Sequence, residues 1–366
     1  VNTRLLAFDF LAGILRNEQP SEHTVDNLRI QIRTGQPDWE HIVSLANDYL
    51  LTPAMWLALK HKHLIDDLPG ELADYLGDLY QLNVERNRNL RAQLLEAVRQ
   101  LNQCGITPIL LKGAKHLVTD IYSGSGARVM TDLDLLVPRE NITASLDALR
   151  KPGYKPVEDK QGDYHEEHHH CPPLFRPGDY GTLEIHRRLA EYPYERVLPT
   201  EQVIAEAEPL VIEEASMKIL SPTHRVLHNI VHSQLINHLY DNGIIPLRSL
   251  HEVASEQSAH PDQVDWETIK RHMNAQQRGR VLNSYLFMEN RLFSMPLPHG
   301  LHPGTTSRLY YQRCRAQLAS ETIHRWGLRY GRYSADMLNE RYECGYGWLA
   351  INRARLRRLS EKLSSD

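Results

Sequence analysis

Residues 110–137 read LLKGAKHLVTDIYSGSGARVMTDLDLLV, and the alternation at the end of this stretch decides the fold. In a strand, residues two apart project from the same face. Asp132 and Asp134 therefore point together, while Leu133, Leu135 and Val137 point into a core. Before them come an apolar run ending in Lys112-Gly113, a helix-like segment, the small-residue turn Ser123-Gly124-Ser125-Gly126, and Arg128. Two carboxylates side by side on a rigid strand repel each other, raise each other's pKa and cost stability. A bound divalent cation removes that cost, and hard oxygen ligands suit Mg2+. The pattern points to phosphoryl or nucleotidyl transfer.

Working outward, residues 1–104 read as helices, with apolar residues at three- and four-residue spacing. Leu90, Leu94, Leu95, Val98 and Leu101 form one stripe, and Gly105 is placed as its stop. From Ile106 the period changes. ITPILLK reads as a buried strand, AKHLVTDIY as a helix and TDLDLLVP as a second strand. NITASLDALRKPG is a helix with Asn141 as N-cap, and YKPVED an edge strand. The stretches YHEEHHHCPPLFRPG and GTLEIHRRL read as a hairpin turned at Pro177-Gly178-Asp179. Helices return after about residue 216, opened by Ser221-Pro222. The expectation is an α+β chain: a small mixed-sheet core over 105–215, flanked by helical regions at 1–104 and 216–366.

The bulk numbers exclude several classes. Of 366 residues, 41% are hydrophobic and 24% charged, which is ordinary for a soluble domain. A net charge of -4 gives no general attraction to nucleic acid or acidic membranes. No apolar run approaches the roughly 18 residues of a membrane span. Cys104, Cys171, Cys314 and Cys344 form no CxxC pair, so a reducing cytoplasm is the expected setting.

With Lys112-Gly113, Arg128, Asp132-x-Asp134 and Glu184-x-His186 in that order, the chain resembles the nucleotidyltransferase superfamily that includes DNA polymerase beta. Within it, the chain looks like the bacterial branch of uncharacterised nucleotidyltransferases, over roughly residues 45–300 and through the helix LSPTHRVLHNIVHSQ. The resemblance implies that Asp132, Asp134 and Glu184 are the catalytic acids and hold two Mg2+ ions. It implies that Lys112, Gly113, Arg128 and His186 serve the nucleotide. The substrate would be an NTP, its monophosphate passing to a hydroxyl-type acceptor with loss of pyrophosphate. In the superfamily a serine commonly follows the turn glycine and binds the triphosphate. Ala114 stands there instead, so Lys112 is expected to supply the contact as a charge, aided by backbone N–H groups at a helix start.

Three other features carry their own readings. His165-Glu166-Glu167-His168-His169 matches H-E-x-x-H, but Cys171-Pro172-Pro173 follows at once, against the helix that a zinc peptidase needs. His224, His228 and His232 recur every four residues, as a half-buried helix face, a cleft lining or a metal set. The segment 305–366 has 12 Lys and Arg against 6 Asp and Glu, interleaved with tyrosine and tryptophan. That tail is either a packed helical cap or a surface for RNA. The acceptor is accordingly a small molecule or, alternatively, a tRNA end or protein side chain; a non-catalytic nucleotide-binding protein is the remaining alternative. No motif marks the acceptor, the base or the oligomeric state. Asp132→Ala and Asp134→Ala are each expected to abolish transfer while leaving the far-ultraviolet circular dichroism unchanged; full activity in either removes the mechanism.

Overall fold

The computed structural model describes residues 2–16, 22–157, 168–342, 344–345 and 347–363. Its spine is the helix Gly70–Asn102, 33 residues and about 50 Å at 1.5 Å per residue. The leucine stripe lies wholly in the core, and the helix ends as the glycine predicted. Ile106 N–H donates to Leu101 O at 3.0 Å and Gly105 takes φ +73°. Polar members of the same helix reach the other way. Asn83 and Asn87 donate to the carbonyls of Ser125, Gly126 and Arg128, and Arg86 to Met130 O and Tyr180 O. Gly126 approaches so closely that a Cβ would lie 2.6 Å from Val84 Cγ2. The small-residue turn thus exists to lay the chain flat on this helix before the Asp-x-Asp strand begins.

Seven strands form one mixed sheet: β1 (Ile109–Leu110), β2 (Asp132–Leu136), β3 (Lys155–Pro156), β4 (Leu174–Phe175), β5 (Thr182–His186), β6 (Glu208–Ile212) and β7 (Ala215–Ile219). Their order is β3-β4-β5-β2-β1-β7-β6. β2 lies in the middle, antiparallel to β1 and parallel to β5. Leu133, Leu135, Leu183 and Ile185 are fully buried in the core shared with the spine helix. The fold class is α+β, with helices flanking the sheet.

The local differences from the sequence reading have physical causes. The first strand is two residues long, because Lys112 turns into the left-handed region at φ +43°. The helix expected over 114–122 is one 3-10 turn, Ala114–Leu117. Asp120 Oδ1 ends it by accepting the N–H groups of Tyr122 and Gly124, at 3.1 and 3.2 Å. Asn141 makes no side-chain cap; a 3-10 turn Arg139–Asn141 runs straight into the helix Ile142–Arg150. The β6–β7 hairpin carries no sequence signal. Its two-residue turn, Glu213-Glu214, adopts φ +47° and +65°, a conformation normally announced by Asn-Gly.

The helical regions share one core. Phe8, Leu11 and Leu15 of the helix Thr3–Leu15 pack in the cluster that contains Tyr285, Met288 and Leu292 of Gly279–Phe293, and Tyr311 of Thr305–Ala319. Arg16 Nε donates to Leu292 O at 2.8 Å and Arg315 pairs with Asp9 at 2.5 Å. Among the described residues no helix is long and apolar enough to cross a membrane.

Glu289 sits inside this core, 2% exposed, accepting Gln257 Nε2 at 2.7 Å. Burial pushes its carboxyl up to about 8. In the unfolded chain it ionises near the usual 4.5, so its folded-state advantage is full below that pH and is lost as pH rises toward 8. Glu289→Gln is therefore expected to unfold at higher urea than the parent at pH 8, by about 2–4 kcal/mol, and to match it near pH 4.5.

Candidate active site

Parallel pairing of β2 and β5 sets the geometry. The register puts Asp134 beside Glu184, Asp132 beside Thr182 and Leu136 beside His186. Two acids that lie 50 residues apart in sequence thereby become neighbours on one sheet face. Asp134 is 1% exposed. Its Oδ1 accepts from Lys112 Nζ at 2.7 Å and His186 Nε2 at 2.8 Å. Burial alone would push this carboxyl up, but the Lys112 ammonium and the His186 hydrogen bond outweigh it and hold it well below the carboxylate range. Asp132, at the more open end, is pushed up by burial and by the charge of Asp134. Burial also raises Glu184, but the His186 ring 3.7 Å away, with the charges around it, brings it below the usual value. Lys112 and His186 are likewise penalised by burial, and both are raised by the acids around them.

Asp134 Oδ2 is buried and has no hydrogen-bond partner among the described residues. Ligand-type atoms of Asp134, Glu184 and His186 lie within 4.8 Å of one another. An orphaned carboxylate oxygen on a residue clustered with Glu184 fits a hard divalent cation, while Asp132 lies outside this cluster. His186, 1% exposed and outside the cavity lining, stands behind Asp134 rather than toward a nucleotide.

The mouth of the acids opens on a cavity of about 590 Å3 between the sheet and the C-terminal helices. Lys112, Gly113, Arg128, Asp132 and Asp134 line it; Glu184 does not. Gly113 has no room for a side chain, since a Cβ would lie 2.3 Å from Arg128 Nη1 and 2.9 Å from Met130 Cγ. The expected helix start at Gly113 gives little anion binding. Ala114 N–H is already bonded to Leu111 O at 3.1 Å, and a single 3-10 turn follows. Arg128 pairs with Glu252, not with Asp132, and Glu252 also accepts Asn229 Nδ2 at 2.8 Å.

Sequence reasoning missed the far wall. Arg225 and Lys115 both close on Glu256, and Arg248 Nη2 donates to Val129 O at 2.6 Å. Burial lowers Lys115 to about 8. The available signal was Arg248, Glu252 and Glu256 at four-residue spacing on the helix Leu247–Ala259, a charged stripe beside buried Leu250, Val253 and Ala254. The histidine stripe divides. His224 bonds to Ser221 Oγ at 3.2 Å, while His228 and His232 line the cavity. Burial, with Lys112 adding to it, lowers His228 to about 3, so its ring is neutral. His165, Glu166 and Glu167 lie outside the described residues, and His168 and His169 are not helical.

A family model described as uncharacterised nucleotidyltransferase matches residues 35–294. No curated protein and no solved structure matches the chain.

Lys112 is the cation on which buried Asp134 leans. Lys112→Met is expected to lose about 3 kcal/mol in urea unfolding at neutral pH. Millimolar Mg2+ should raise the melting temperature of the variant more than that of the parent. No Mg2+-dependent rise in either protein would show that Asp134 Oδ2 takes no cation.

Proposed function

Because the chain belongs to the uncharacterised nucleotidyltransferase family, we propose that it transfers a nucleoside monophosphate from an NTP to a hydroxyl-type acceptor, releasing pyrophosphate. The observation that carries this reading is the in-register pairing of Asp134 with Glu184 beside Asp132, at the mouth of a cavity that also receives Lys112 and Arg128. Asp132, Asp134 and Glu184 would hold two Mg2+ ions. When bound, these ions supply Lewis-acid activation of the acceptor hydroxyl and charge neutralisation at the phosphates.

The chain's own groups do the positioning. Lys112, Lys115, Arg128, Arg225 and Arg248 are offset by Asp48, Asp132, Asp134, Glu252 and Glu256, so the cavity is close to neutral by itself. A cation at the acids tips that balance to positive, which suits a polyphosphate. Lys112 bridges Asp134 and the cavity, replacing the serine contact of the wider superfamily. Glu252 holds Arg128 in one direction without moving it from the cavity wall. His186 acts through Asp134, engaging Oδ1 and leaving Oδ2 without a hydrogen bond among the described residues.

The volume supports a small acceptor, since about 300–1,000 Å3 is the range of small-ligand sites. In the basic tail Tyr310 and Tyr311 are buried, whereas Trp326, Tyr330 and Trp348 are 66%, 70% and 77% exposed, so packing accounts for only part of its aromatic content. Arg313 stacks on Tyr330, Arg357 on Tyr342 and Arg358 on Tyr333, at 4.8–5.7 Å. The test is pyrophosphate release from each of the four NTPs with Mg2+ and cell extract as acceptor. One alpha-labelled NTP should mark a small extract component with the parent protein and none with Asp134→Ala. Label on RNA would move the acceptor to the macromolecular class. Mg-ATP binding by calorimetry, with no transfer from any NTP, would overturn the enzymatic reading.

A further inference from the structure

The histidine-rich segment that this chemistry leaves unused forms a second cluster of ligand-type atoms. His168, His169 and His170 run beside the end of β5. His170 pairs with His186, and Arg187 N–H and Arg188 N–H donate to His169 O at 2.9 and 3.2 Å. In a flat strand three consecutive side chains would alternate faces. The backbone bends here, and the three rings converge, with centroids 4.5–4.7 Å apart. One ring nitrogen from each lies within 4.8 Å of the others. Glu191, from the turn after β5, closes the group. Its Oε1 is 3.1 Å from His168 Nε2 and 2.9 Å from His169 Nδ1.

We propose that His168, His169, His170 and Glu191 form a binding site for a divalent transition-metal ion of the zinc type, adjoining the acids of the transfer site, with His170 Nε2 3.9 Å from Glu184 Oε2. The donor set decides the ion: imidazoles with one carboxylate suit zinc, whereas three acids suit Mg2+. Zinc–nitrogen bonds of about 2.0–2.1 Å in a tetrahedron place ligand atoms about 3.3 Å apart. The Glu191 oxygen already stands near that distance from two nitrogens, and side-chain rotation closes the remaining gap. Second-sphere contacts orient the rings as metal ligands are oriented. His170 Nδ1 lies 2.8 Å from Cys171 O, so that nitrogen carries the proton and the Nε2 lone pair is the ligand. The ion would tie the segment 168–170 to the turn after β5, bracing the strand that presents Glu184 and His186.

The test titrates purified full-length protein with Zn2+ and with Co2+ in saturating Mg2+, so that the acids are already supplied with their own ion. One tight ion per chain, a visible Co2+ spectrum of tetrahedral type and a Zn2+-dependent rise in melting temperature are expected. His169→Ala and Glu191→Gln should each weaken binding by about tenfold to a hundredfold. Asp134→Asn should leave it unchanged. Glu191 is 38% exposed, so its variant keeps the fold if His169→Ala does not; metal-free circular dichroism checks both. Unchanged Zn2+ affinity in Glu191→Gln, or its loss in Asp134→Asn, overturns the proposal.

Discussion

The buried carboxylate of Asp134 is the constraint on which the site depends. A charge taken out of water needs partners, and here both come from outside its own strand: Lys112 from the turn after β1 and His186 from β5. To bring them together the chain accepts a left-handed lysine at φ +43°, a conformation that costs of order 1 kcal/mol or more for a residue with a side chain. One oxygen of Asp134 is spent on these contacts; the other is buried without a hydrogen-bond partner among the described residues. The arrangement is stable as a scaffold and still unsatisfied as a ligand.

The same logic extends to the cavity wall. Arg128 is held by Glu252, while Lys115 and Arg225 share Glu256, so these three cations of the cavity wall are fixed by acids of the helix Leu247–Ala259. Preorganisation of this kind spares a site from moving charge when substrate arrives. The spine helix does the corresponding work on the opposite side. Asn83, Asn87 and Arg86 hold the carbonyls of the loop that delivers Arg128 and β2. The C-terminal helices are thus part of the site, and Phe8 and Leu11 of the first helix lie in the core that supports them.

Much of this was legible in the chain. The leucine stripe at 90–101, the stop at Gly105, the Asp-x-Asp alternation and the turn at Gly178 are short-range signals, and each reads directly from spacing. The β6–β7 hairpin was not legible, because Glu213-Glu214 occupies a turn that glycine or asparagine usually marks. The partner of Arg128 was not legible either. Glu252 is 124 residues away, and a charged stripe on a helix reads equally well as a solvated face.

The sequence by itself singled out the groups that we propose carry the chemistry: the acids Asp132, Asp134 and Glu184, the turn at Lys112-Gly113, and Arg128, in an order that resembles one superfamily. The tertiary structure decided how they stand. It aligned Asp134 with Glu184, put His186 behind rather than in front, and gave the cavity a second wall of Arg225, Arg248, Glu252 and Glu256. Periodicity fixes the face on which a side chain lies, because that follows from backbone geometry within a few residues. Strand register and ion pairing between distant helices depend on how whole layers pack, and no local spacing encodes them.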